Sequence, residues 1–249
     1  MNGPVVVGVD GSWASLAAVQ TAALEAERRG TGLRLAHALA WSSARVPAGV
    51  PPWDPDGAGR RDLVGRPLDE AERWARKVAP EVTVTGDVLM GDPGRVLESE
   101  SRTASLAVVA GRRATGIAGR LTGHGRCPLL VVRGRAQRHG CVVLADAASE
   151  DAAEFAFAEA AVRNVDLVVL HARARGALAG LRKKYPGVTV HDRRLRRRTG
   201  RALVEASDGA QLVVIAAHHR AAELLPGWAG RTLMSRAHCP VAVVPAGKA

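Results

Sequence analysis

Residues 5–12 read VVVGVDGS, and the reading of the whole chain turns on them. An apolar run broken only by Gly8 ends in Asp10, Gly11 and Ser12, and an apolar-patterned segment follows at once. A run without polar interruptions suits a parallel strand covered on both faces. Asp10 then stands at the carboxyl end of that strand, where open α/β sheets place their ligand crevice. Ser12 is positioned to cap the next helix, which keeps Leu16, Val19 and Leu24 at helical spacing and stops at Gly30. A second strand is expected over Leu33 to Leu39, completing a parallel strand–helix–strand unit.

Working outward, the composition from Trp41 through Gly65 turns to Pro, Gly and Asp, the mark of a long surface loop in which Trp41 and Trp53 serve as pins. The segment opening at Pro67 carries acidic residues early and Arg76 and Lys77 late, which predicts a helix starting there, with Trp74 toward the sheet. A third strand is expected near Val82 to Thr85, and a short helix from Pro93. A fourth strand spans Leu106 to Ala110, an arginine- and glycine-rich turn follows, and a fifth strand covers Leu129 to Val132. That series makes a complete small α/β domain by about residue 135.

The pattern then restarts. Asp10 and His37 stand 27 positions apart, and Asp146 and His171 stand 25 apart. Val82 to Val84 recurs at Val188 to Val190, and Leu106 to Gly111 at Leu212 to Ala217, both at an offset of 106 residues. RCPLLVV at Arg126 matches HCPVAVV at His238. Shared order and near-constant spacing mark an internal duplication. The chain therefore reads as two tandem doubly wound domains, 1–135 and 139–249, each with a mainly parallel five-stranded sheet. The second copy is shortened in its middle and lacks most of the helix that matches Pro67 to Val78.

Composition bounds the function. A net charge of +11 and a pI near 11.0 favour anionic surroundings without naming them. Cys127, Cys141 and Cys239 have neither metal-ligand spacing nor the density of a secreted scaffold, which points to a reducing cytoplasm. No segment reads as a signal peptide or reaches membrane-spanning length, so no membrane insertion is expected.

The order and wording of these segments resemble the universal stress protein family, here as a tandem pair. The resemblance rests on VVVGVDGS at Val5, LAHA at Leu35, VLMGDPGRVLESE at Val88, LAVVAG at Leu106 and the Cys-Pro strands at Cys127 and Cys239. It implies a five-stranded parallel sheet per domain and pairing of domains through their last strands. Leu129 to Val132 and Val241 to Val244 would then form an internal pseudo-dimer. It also implies, for members that bind nucleotide, ATP at the carboxyl ends of the strands, with Asp10 beside the adenine and ribose and Ala38 beside the base. The family's phosphate pattern, GxxGxxxxxxxxxG followed by Ser or Thr, starts at Gly111. Position 114 is alanine, however, and the interval from Gly111 to Cys127 is some nine residues too short. Gly116 and Gly119, with Arg112 and Arg113, offer a substitute anion nest at a different spacing. In the second copy Ala217 and Arg220 replace the first two glycines and Trp228 takes the hydroxyl position.

Three functions follow as expectations. The first is a non-catalytic regulatory or protective protein that has largely lost ATP binding and needs no cofactor. The second is an ATP- or AMP-binding protein using an altered first-half site at Asp10, Ala38, Gly111 and Gly116. The third is low-specificity binding of a polyanion or nucleic acid through Arg193, Arg196, Arg197 and Arg198, whose guanidinium groups suit phosphate. A protein partner, or self-association through a terminal strand, is compatible with each. His218, His219, His238 and Cys239 lack a structural-zinc spacing, and His37 and His171 read as packing or hydrogen-bonding groups. No nucleophile with an orienting base emerges, so catalysis is not expected.

Overall fold

The computed structural model describes residues 3–39, 58–111, 115–133, 140–145, 149–171, 178–194, 200–217 and 228–245. In chain order the first half comprises β1 (Val5–Gly8), α1 (Trp13–Arg29), β2 (Leu33–Leu39), α2 (Ala58–Val78) and β3 (Val84–Met90). It continues through α3 (Pro93–Glu100), β4 (Leu106–Ala110), α4 (Thr115–His124) and β5 (Leu129–Val132). The second half repeats the series as β6 (Val142–Leu144), α5 (Glu150–Arg163), β7 (Leu167–His171), α6 (Ala179–Lys184) and β8 (Val190–Arg194). It ends with α7 (Gly200–Ala206), β9 (Leu212–Ala217), α8 (Trp228–Arg236) and β10 (Val241–Pro245).

All ten strands form one sheet in the order β3-β2-β1-β4-β5-β10-β9-β6-β7-β8. Every pair is parallel except β5–β10, which run antiparallel with Ala242 opposite Leu130. Each half thus has the doubly wound order 3-2-1-4-5, and a pseudo-two-fold axis passes between the two last strands. The expected internal pseudo-dimer is present. With β5 and β10 both in the sheet's interior, its free edges are β3 and β8.

Helices cover both faces because the strands are apolar on both faces. Val5, Val7, Leu33, Leu35 and Val108 pack with α1, α2 and α5 in one core. Val6, Ala107, Val109, Leu129 and Val131 pack with α4, α8 and residues of α3 and α7 in the other. Each core runs without a break across the β5–β10 joint.

Local chemistry fixes the boundaries. Ser12 caps α1 by accepting from the Ser15 amide at 3.2 Å, and Gly30 ends it in the left-handed region at φ 61°. Asn164 closes α5 in the same conformation, at φ 52°. Asp92 caps α3, with Pro93 at its first turn. Two buried serines repeat at an offset of 106. Ser101 Oγ donates to the Glu98 carbonyl and accepts the Arg126 amide, and Ser207 Oγ donates to the Val204 carbonyl and accepts the His238 amide.

Two expectations need correction. The third strand runs from Val84 to Met90, not Val82 to Thr85, because all seven residues of β2 pair with it one to one and Val82 belongs to the turn after α2. Its second-half counterpart likewise begins at Val190. Helix α2 starts at Ala58, so Pro67 is interior rather than at its start. The proline forgoes one ladder hydrogen bond, and its ring packs 3.5 Å from where a Gly11 β-carbon would lie. In the second half the six residues of α6 stand where α2 has 21. Trp74 is half-buried against the core, with the Lys77 ammonium 5.4 Å from its ring centroid.

Between α1 and α5, across the pseudo-two-fold, lies a set of charges not foreseen from the sequence. Glu25 is only 1 % exposed and Glu159 4 %. Arg163 reaches both, contacting Glu25 at 2.5 Å, while Arg29 reaches Glu159 across the joint and Glu25 on its own helix. Arg28 adds a contact to Glu25 at 2.7 Å, and the Arg29 guanidinium lies over the Phe155 ring.

Candidate functional site

The crevice of interest lies at the carboxyl ends of β2, β1 and β4, where strand order reverses about β1. Asp10 follows β1 and its Oδ1 accepts from the Ser12 amide at 2.9 Å and the Ser12 hydroxyl at 2.6 Å. Partial burial is the largest single influence and pushes its pKa up, but the Ser12 hydroxyl and amide, together with the Ser15 hydroxyl and the Asp10 amide, hold the carboxyl below its ordinary value. Gly11, at φ 77°, supplies the left-handed turn, and Ser12 passes the chain into α1. The carboxylate is thus engaged in its own turn while remaining exposed to solvent.

Ala38 sits on β2, paired with Leu89 of β3, and His37 beside it donates from Nδ1 to the Val9 carbonyl at 2.8 Å. A carbonyl oxygen can only accept, so this bond sets the tautomer and ties β2 to the end of β1. Gly111 follows β4 at φ 68°, its amide donating to the Val132 carbonyl at 3.2 Å. The structure therefore brings Asp10, Ala38 and Gly111 to one edge of three adjacent strands. Gly116 falls elsewhere: it lies inside the first turn of α4, exposed, with Gly119 one turn further along the helix. Only residues 112–114 separate Gly111 from α4, and these, with Arg112 and Arg113, lie outside the described residues.

In the second half Asp146 and residues 218–227 lie outside the described residues, and α8 begins directly at Trp228. Of the arginine candidates, Arg193 is exposed on the edge strand β8, and Arg196, Arg197 and Arg198 lie outside the described residues. Neighbouring basic groups already have acidic partners: Arg182 with Asp192 at 2.8 Å, Arg201 with Glu205 at 2.9 Å, and Lys184 with Glu154. Trp41, Trp53, His218 and His219 also fall outside the described residues.

Burial pushes the Cys127 and Cys239 thiols up to about 12, and burial also raises Cys141. Among the described residues no group of three His, Cys, Asp or Glu side chains is placed to hold a metal ion. Among them, too, no helix is long and apolar enough to cross a membrane. Pro67 is the residue whose place the sequence misjudges: it lies inside α2, with its ring beside the Gly11 turn. A proline in a helix-compatible pattern reads as a start, and only the fold shows it in mid-helix.

Comparison with known proteins agrees with this architecture. A universal stress protein of Mycobacterium tuberculosis is 30% identical over 285 residues, covering 96% of this chain and 95% of its own length. Another, from Mycolicibacterium smegmatis, is 31% identical over 288 residues and covers 96% of each chain. The crystal structure of a universal stress protein from Archaeoglobus fulgidus superposes with a TM-score of 0.74 at 14% identity, covering 100% of this chain and 98% of that one. A putative universal stress protein structure from Pseudomonas aeruginosa gives 0.61 at 13% identity, covering 98% and 93%. These two structures speak to fold alone. Residues 1–133 match the universal stress protein family directly, and the chain belongs to that family.

Proposed function

We propose that this chain is a non-catalytic regulatory or protective universal stress protein whose first-half crevice has largely lost ATP binding. The observation that supports this is the passage from β4 to α4. Gly111 is followed by three residues and then by the ten residues of α4, which occupy most of the interval to Cys127. A long glycine loop that could turn successive backbone N–H groups toward a triphosphate has no length left in which to form. The Asp10 carboxylate, turned onto Ser12, fits a structural role at the strand end, where the Pro67 ring packs beside Gly11.

The same reading makes the protein a non-enzyme of the cytoplasm: its thiols are free, and the two buried ones are poor nucleophiles at neutral pH. Polyanion binding through the second half is less well supported, since Arg182, Lys184 and Arg201 already have acidic neighbours. Mass spectrometry of small molecules released from the purified chain tests the proposal. The expected result is no adenine nucleotide. A stoichiometric nucleotide that disappears in Asp10→Ala would replace this reading with the altered first-half site.

A further inference from the structure

The joint between the halves poses a problem of register. β5 reads LLVV and β10 reads VAVVP, and their inner residues are buried on both faces of the sheet. Where one face is wet, a one-residue slip is forbidden because it turns the apolar set outward. Here both faces enter a core, so the apolar pattern tolerates a slip that moves one strand by about 3.4 Å per residue. Something else must hold Ala242 opposite Leu130.

We propose that Glu25, Arg29, Glu159 and Arg163 form a self-complementary ionic clasp that sets the register and pairing of the two halves. Glu25 and Arg29 stand four apart on α1, and Glu159 and Arg163 four apart on α5, at one offset of 134 residues. Each helix therefore presents the same pair, and the pseudo-two-fold axis sets acid against base in both directions: Arg163 to Glu25, Arg29 to Glu159. This is the isologous arrangement of a two-fold interface, carried inside one chain.

The physics favours specificity over net stability. Two glutamates at 1 % and 4 % exposure have given up nearly all their water, and each is met both by an arginine of its own helix and by one from across the joint. A displaced register would keep the apolar contacts but leave buried charge facing the wrong group. Arg28, 36 % exposed, sits at the rim and is not required by the clasp.

Swapping charges separates this from a merely structural role. The half swap Glu25→Arg with Arg29→Glu keeps a pair within α1 but sets like against like across the joint. The full swap adds Glu159→Arg and Arg163→Glu and restores both cross pairs. Native-state hydrogen exchange should show amides of residues 129–132 and 241–244 losing protection by at least about 100-fold in the half swap, the scale of a broken buried pair. The full swap should return to within about ten-fold of the unmodified chain, although it places two acids at helix ends that favour bases. Nuclear Overhauser contacts between Leu130 and Ala242 report the register itself. The proposal is overturned if the half swap keeps both protection and register, or if the full swap is no better than the half swap. Should the half swap not fold, Glu25→Gln with Glu159→Gln decides. Selective loss of protection at the joint supports the clasp, and unchanged protection overturns it.

Discussion

At the scale of single residues, two small side chains do more than their size suggests. Ser207 is fully buried and holds the amide of His238 at 3.0 Å, fixing the entry to β10, as Ser101 fixes the entry to β5. Ser207→Ala strands that amide, so urea denaturation should show a loss of about 1–3 kcal/mol. A loss below a few tenths would mean water replaces the hydroxyl. Asp10 gives a pH signature. Its folded pKa lies below the ordinary 3.8, so its contribution is present above the unfolded value and fades as pH falls through the folded one. The stability difference between the unmodified chain and Asp10→Asn should therefore shrink with acidification below pH 3.8. An unchanged difference would mean that the Ser12 bonds do not favour the charged form. The Asp10-Gly11-Ser12 turn was legible in the sequence because its chemistry is local. The serine staples were not, because each joins residues 25 or 31 positions apart and a serine in a polar stretch gives no sign of burial.

At the scale of elements, the interior strands were readable and the edge elements were not. β2, β4 and β5 have the bounds their apolar runs predict, since strands buried on both faces declare themselves. β3 contains Gly86 and Asp87, and its exposed residues blur the alternation, so the sequence pattern stops at Thr85 and misses the far half of the strand. β8 is harder still, with four exposed polar residues after Val190. The two edges also differ in protection: Arg194 of β8 stands, at the 106-residue offset, where β3 carries the exposed Val88. Charged side chains guard an edge against pairing with another chain, and exposed apolar ones do not. Val88→Lys should leave stability within about 0.5 kcal/mol and reduce light scattering on mild heating. Unchanged scattering would place the sticky surface elsewhere.

At the scale of the whole molecule, one continuous sheet and two uninterrupted cores make the halves a single folding unit. The duplication was legible because the order of the matching segments is kept and one offset of 106 residues holds from Val82 to Gly111. The clasp between α1 and α5 was not, because Glu and Arg four apart on a helix normally form a surface pair. Only the docking of the halves buries them. A charge such as Asp at Ala242, in the centre of the joint, should abolish cooperative folding of both halves, seen as loss of a single sharp unfolding transition. Two independent transitions in the unmodified chain would contradict the single unit.

The crevice joins these scales: its strand end and turn persist, and the proposed loss of ATP binding rests on the short interval between Gly111 and α4. Calorimetric titration of the purified chain with ATP and AMP tests that claim most directly. The account predicts no saturable heat up to about 1 mM nucleotide; a stoichiometric isotherm in the micromolar range would contradict it.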